Sequence, residues 1–404
     1  MTEEMTIGAE NREHADIPRD GFFQGFDGLR AIAALLVVLV HVSILSGYGG
    51  ATLTPFLAQT DIGVPVFLVI SGFLLYRPFV AARLAAKEPI GFGEFWKRRA
   101  LRIFPAYWFC LAVVSAFMYD GTRGIDSVPT FLEHFFLLHV YDSSRAIGGP
   151  VQQSWTLAVE VSFYAFLPIY AWCICRIGTR RSPIQVEIAG VATLYAISLV
   201  YRIVLLSMNV SDSQFGQFRI FLPGFLDQLA LGMGLAVASA WLAQRGDRDV
   251  RAPRWLAGVA WALAALCFVV VAKGLNLPTN PIAHRTDSQY LLEQFFRGTA
   301  AVLFVMPAVF AATRRGAIRR FLSARVMVWL GLISYGIYLW HEAWLTIYLR
   351  WVGFAYGGND RLLQVLGVTL ALTIPTAALS YYLIERPALR LKTKTRRITA
   401  RQPA

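Results

Sequence analysis

Long apolar runs alternate with short polar, often basic connections about ten times between residues 29 and 384. The runs fall near 29–48, 62–80, 101–119, 155–175, 186–208, 219–243, 255–275, 295–313, 327–350 and 362–384. A helix rises 1.5 Å per residue, so about 20 mainly apolar residues cross the ~30 Å hydrocarbon core of a bilayer. The pattern therefore predicts an all-α polytopic membrane protein with about ten transmembrane helices. One further stretch, VPTFLEHFFLLHV at 128–140, is too short to span and is expected to lie in the interface or to re-enter the membrane. Helices and short loops use up the chain, leaving no soluble domain, internal repeat or low-complexity linker. A single membrane domain is expected over 26–387, between tails at 1–25 and 388–404.

Composition agrees. The 404 residues are 56% hydrophobic and only 16% charged, whereas soluble domains carry about a quarter charged residues. The net charge of +13 does not point to nucleic acid, because the basic residues are scattered between apolar runs and form no single stripe. Their placement does fix an orientation. With the N-terminus inside, 29 of the 38 lysines and arginines fall in inner connections and tails, the bias expected of cytoplasmic loops. Both termini are thus expected in the cytoplasm, with the chain in the inner (plasma) membrane. Residues 1–25 are polar, of mixed charge and without a signal-peptide pattern, and read as a largely disordered tail. Residues 388–404 read as a basic tail. Cys110, Cys173, Cys175 and Cys267 lie in or beside apolar runs and read as reduced structural thiols. Cys173-x-Cys175 has no second ligand pair at a suitable spacing, so no metal site is expected.

Ionisable side chains at membrane depth are costly unless they face protein or water, which makes each a candidate. In GLRAIAALLVVLVH, Arg30 and His41 stand eleven steps apart, about three turns, on nearly the same helix face and ~16 Å apart along the axis. His41, Glu160 and His341 all reach the outer half of the membrane, from three distant parts of the chain. Equal depth does not establish contact. Asp227, in LPGFLDQLALGMG, is either a site residue or a structural cap on a broken helix, and Arg202 is placed to snorkel to the surface. At the inner boundary FWKRRALRIFPAYW gathers Lys97, Arg98, Arg99 and Arg102. These are either topological anchors or a site for a phosphorylated cytosolic ligand, since guanidinium groups bind phosphate through planar bidentate contacts. No Walker-type or GxGxxG loop is present.

Taken together, FDGLRAIAALLVVLVH, GVPVFLVISGFLL, FWKRRALRIFPAYW, QSWTLAVEVSFYAFLP, SYGIYLWH and YYLIERP resemble the acyltransferase 3 family of integral membrane acyltransferases, over about residues 25–387 and in the expected order. The resemblance implies transfer of an acetyl or other short acyl group from acyl-CoA to envelope glycans, glycolipids or secreted metabolites. Acyl-CoA is the implied donor substrate, with no permanently bound cofactor. The family's arginine–ten residues–histidine motif falls on Arg30 and His41, and its arginine-rich motif on Arg98, Arg99 and Arg102. Its tryptophan–serine–leucine motif falls on Trp155, Thr156, Leu157, Glu160, Phe163 and Tyr164, with threonine in place of serine.

The implied roles are general base for His41, an orienting carboxylate or an acid–base group for Glu160, and phosphate binding for the arginines. Ser71, Asp227 and His341 are further candidates. Some family members carry an additional hydrolase-like domain that is not found in these residues. A reading from another class is a proton-coupled secondary transporter or lipid-linked sugar flippase, in which the buried His and Glu relay protons and Leu222-Pro223-Gly224 marks a gated path. The sequence shows no matched pair of broken segments in two halves to support it. A non-catalytic membrane subunit is a third.

Overall fold

A computed structural model describes residues 25–47, 50–118, 125, 127–177, 182–245, 254–279, 283, 285–310, 317–353 and 358–391. The tails expected at 1–25 and 388–404 lie outside the described residues except for Gly25 and 388–391. No strand occurs among the described residues. The protein is an all-α polytopic membrane protein.

The first helix, α1 (Phe26–Ser46), is apolar apart from Asp27, Arg30, His41 and two serines, and is bounded at both ends by glycines in the left-handed region, Gly25 at φ 106° and Gly47 at φ 85°. A helix this apolar has to be covered on all sides, and α1 sits in the middle of the bundle. Its neighbours are α3 (Gly63–Leu84), α13 (Arg325–Leu332), α14 (Ser334–Val352) and α15 (Gly358–Ser380). Between α1 and α3 lie a short helix, α2 (Gly50–Leu57), and a single 3₁₀ turn, Thr60–Ile62.

Helix α3 packs along α9 (Leu226–Gln244) at backbone distance. A Cβ on Gly72 would stand 2.2 Å from the Leu229 carbonyl oxygen, and one on Gly232 would stand 2.1 Å from that of Val69. Only glycine permits this approach, which fixes the neighbouring Ser71 on the inner side of the bundle. The other long helices are α4 (Phe92–Val113), α6 (Trp155–Ile177), α7 (Pro183–Ser207), α10 (Arg254–Val269) and α11 (Asp287–Phe310), with shorter helices α5 (Val128–Phe135), α8 (Asp212–Phe218) and α12 (Ala317–Leu322). Helices α7, α10 and α15 are the least covered of the long ones. The first two turn Ile188, Val200, Trp255 and Leu266 outward, as lipid-facing helices do.

Each of the ten expected runs is mostly helical over its described residues. Among the described residues nine helical stretches are long and apolar enough to cross a membrane. The run expected at 327–350 is the one outside that set. It is broken at Ile333 into α13 and α14, and α14 carries a fully buried His341 beside a half-buried Glu342, with an exposed Arg350 near its end. The 128–140 stretch contains α5 and a following turn laid against α4, where the Tyr107 hydroxyl donates to the His134 carbonyl at 2.5 Å and Trp108 Nε1 donates to that of Phe135 at 2.9 Å.

Candidate active site

Helix α1 links two cavities. Arg30, near its start, lines a space of about 940 Å³. His41, three turns later, lines another of about 1420 Å³. Val64, Thr156 and Tyr338 line both, so one layer of side chains separates them. In that layer Thr156 Oγ1 lies 2.5 Å from the Tyr338 hydroxyl oxygen, and the Tyr338 hydroxyl donates to the Gln153 carbonyl.

The first cavity gathers Arg30, Arg99 and Arg102 with Ser71, Glu160 and Tyr164. Glu160 Oε1 accepts from Ser71 at 3.0 Å and from Tyr164 at 2.5 Å. Arg30 is 3.8 Å from Asp27. Among the described residues neither Arg99 nor Arg102 has a carboxylate within 4.0 Å, and the Arg99 Nε–H is buried without a hydrogen-bond partner. Arg99 and Arg102 are three positions apart on α4 and therefore share a face. The space thus has guanidinium donors left over for an anion with several oxygens, such as a phosphate. Arg98, one position before Arg99, is rotated by about 100° to the exterior, where it pairs with Glu94 in the preceding turn. The three arginines grouped by sequence are divided by the structure into two inside and one outside.

The second cavity holds the imidazole of His41. His41 Nδ1 lies 2.8 Å from the Val37 carbonyl oxygen and 3.3 Å from His341 Nε2. His341 is fully buried, and its Nδ1 lies 2.8 Å from the Tyr338 carbonyl oxygen. Carbonyls only accept, so each Nδ1 carries the hydrogen; the tautomers follow from this network. His341 Nε2 then presents a lone pair to the His41 Nδ1–H, and His41 Nε2 keeps its own lone pair for a ligand in the cavity. Glu342 completes the cluster: one ligand atom from each of His41, His341 and Glu342 lies within 4.8 Å of the others. The same three groups are spaced closely enough for a metal ion, but the imidazole–imidazole hydrogen bond already uses the lone pair that His341 would give it.

Glu160, which the sequence reading puts behind His41, has other partners. It lines the arginine cavity and not the histidine cavity, and Glu342 is the carboxylate beside His41. Equal depth left the rotation of each helix open, and packing turns Glu160 toward Ser71. Asp227 lines neither cavity. It is buried and closes on Arg202 through bonds of 2.7 and 2.9 Å, with Ser198 at 3.2 Å. Arg202 is 3% exposed and does not snorkel; its second partner is the Gly224 carbonyl at 2.6 Å.

Sequence reasoning missed a polar network on the histidine side. Arg297 bonds Asp61 at 2.8 Å, Gln59 at 2.5 Å and Glu293 at 2.9 Å, while Arg285 reaches Glu293 at 2.8 Å. Its one sequence signal is the four-residue spacing of Glu293 and Arg297, which put opposite charges on one helix face at the edge of an apolar run. Tyr338 and Glu342 flank His341 and lie within the quoted SYGIYLWH stretch or next to it.

A protein-family model described as an acyltransferase domain matches residues 23–385. The peptidoglycan O-acetyltransferase OatA of Listeria monocytogenes is 25% identical over 380 residues, covering 91% of this chain and 56% of that protein. The O-acetyltransferase OatA of Staphylococcus aureus is 24% identical over 378 residues, covering 91% and 57%. BcsY of Komagataeibacter xylinus, named as a candidate membrane-bound transacylase, is 28% identical over 385 residues, covering 90% and 82%. The chain thus spans little more than half the length of the two O-acetyltransferases. No solved structure matches it. The matched segment takes in both cavities and every ionisable group placed above, and the chain belongs to the acyltransferase 3 family.

Proposed function

We propose that the protein is an O-acyltransferase of the inner membrane. It moves an acyl group, acetyl by preference, from cytosolic acyl-CoA to a hydroxyl of a cell-envelope sugar or glycolipid. Both termini face the cytoplasm, so the arginine cavity opens inward and the histidine cavity outward. One observation carries the reading: a cationic space and a space with an available imidazole lone pair meet at a single layer, Val64, Thr156 and Tyr338.

The lengths agree. About twelve bonds join the phosphate ester oxygen of coenzyme A to its sulfur, equivalent to about four extended residues or ~14 Å. Arg30 and His41 are ~16 Å apart along α1. Phosphates held by Arg99, Arg102 and Arg30 therefore bring the thioester to the Thr156–Tyr338 layer, within reach of an acceptor on the other side. There His41 Nε2 takes the proton of the acceptor hydroxyl as its oxygen bonds to the thioester carbonyl carbon. The C–S bond then breaks, and the proton passes to the departing sulfur to give free coenzyme A. His341 Nε2 and the Glu342 carboxylate stabilise the imidazolium between those steps, as a carboxylate does behind a catalytic histidine. The peptidoglycan O-acetyltransferase activity of the Listeria monocytogenes relative fits a sugar hydroxyl as acceptor.

The test is transfer of radiolabelled acetyl from acetyl-CoA to envelope glycan fragments by the purified protein in nanodiscs. Wild type should transfer. His41→Ala should lose 10²–10⁴-fold in turnover, the usual worth of a general base, while acetyl-CoA still binds. Near-normal turnover in that variant removes His41 from the chemistry.

A further inference from the structure

The histidine cavity contains more polar chemistry than proton abstraction needs. Most of its charge is already matched: Arg297 by Asp61 and Glu293, Arg285 by Glu293. Arg219 is different. It lines the same space, and among the described residues its side chain has no hydrogen bond and no carboxylate within 4.0 Å. Counting Arg219, Arg285 and Arg297 against Asp61 and Glu293, the lining carries one positive charge in excess. An uncompensated cation in a protected space is costly unless a ligand supplies the anion.

Two further features point to a ligand. Gln153 and Gln228, 3% and 0% exposed, are lining residues of the cavity, and the buried Oε1 of each has no hydrogen-bond partner. Carbonyl oxygens of this kind are satisfied by hydroxyl donors. Trp155 and Phe225, with ring centroids 5.7 Å apart, add an aromatic face to the same wall. Hydroxyl donors, an apolar face and a negative charge together describe an acidic sugar.

We infer that the histidine cavity is an acceptor site for a sugar bearing a carboxylate or phosphate, with Arg219 binding that anionic group. The inference rests on the acyltransfer reading only in treating the ligand as the acceptor. Arg219 selects which sugars enter, and His41 acts on whichever hydroxyl the bound sugar presents.

Equilibrium binding tests this without any donor. The full-length protein in nanodiscs is titrated, by ligand-observed NMR, with a glucuronate-containing disaccharide, its neutral glucose counterpart and a disaccharide phosphate. Wild type should bind at least one charged sugar about tenfold more tightly than the neutral one, as expected for one charge-assisted contact. The tighter of the two charged probes names the anion. Arg219→Gln should reduce the preference to about twofold or less, and Arg219→Lys should keep most of it. A wild type indifferent to charge, or an Arg219→Gln variant with its preference intact, overturns the inference. Binding preference without acetyl transfer from acetyl-CoA would retire the acyltransfer reading and leave the anion site standing. Transfer to neutral and acidic sugars alike would do the reverse.

Discussion

The two cavities use opposite means on either side of one layer of side chains. In the arginine cavity the only lining carboxylate among the described residues, Glu160, is occupied by two hydroxyls, while Arg99 keeps a buried N–H without a partner. In the histidine cavity most charges are paired, and the available group is the His41 Nε2, whose ring is oriented by the bonds at its Nδ1. In the proposed reaction the first grips by charge and the second acts by moving a proton. The buried Arg202–Asp227 pair is an internal control. It is built from the same residue types, but its two charges are matched to each other within the protein, although the Arg202 Nε–H has no partner, and it lines neither cavity. An ion pair closed on itself is scaffold, whereas a guanidinium left open beside a cavity is a binding group.

The largest effect expected from this contrast is on the arginine side. Arg99→Gln or Arg102→Gln should raise the KM for acyl-CoA roughly 10- to 150-fold, the worth of a hydrogen bond to a charged group at about 1.5–3 kcal/mol. Turnover at saturation should change much less, because neither group reaches the reacting atoms. Titration calorimetry with acyl-CoA checks the binding directly. Unchanged affinity would make both residues topological anchors and dissolve the difference between the cavities.

Next in size is Glu342→Gln. Glu342 is placed to stabilise the His41 imidazolium, so its loss should lower kcat by about tenfold, at the weaker end of what proton-transfer machinery contributes. The KM values for donor and acceptor should stay within about twofold, since the residue touches neither. A kcat insensitive to this substitution would return the orienting role to Glu160 or to no carboxylate at all.

Much of this architecture is readable from the chain, for reasons that also mark where the reading stops. Ten apolar runs and the eleven-step spacing of Arg30 and His41 depend only on helix geometry, and helix geometry is local. Glu160 and Glu342 show the limit. Both lie at similar depth, but depth is one coordinate, and which carboxylate meets the imidazole is set by helix rotation. That rotation comes from contacts such as the Gly72–Leu229 approach, which no local pattern encodes. Arg219 was overlooked for a related reason. It stands at the edge of a run, where an arginine is ordinary, and what makes it distinctive is that no carboxylate among the described residues lies within 4.0 Å of it.

Arg98 carries the smallest expected effect and gives the sharpest test of the division. Composition and motif place it with Arg99 and Arg102, and a purely electrostatic rim would treat the three alike. The structure sets it on the exterior of α4, paired with an exposed Glu94 side chain. Exposed ion pairs within a helix contribute about 0.3–0.5 kcal/mol and are screened by salt. Arg98→Ala should therefore leave the KM for acyl-CoA within about threefold of wild type at physiological ionic strength, with kcat unaltered. Any residual shift should shrink as salt is added, because a charge outside the cavity acts on the donor only through solvent. A loss as large as that of Arg99→Gln, persisting at high salt, would mean that the phosphates are held at the outer surface of α4 rather than between the helices. The arginine cavity would then have to open further along that surface than Phe95 and Trp96 now allow.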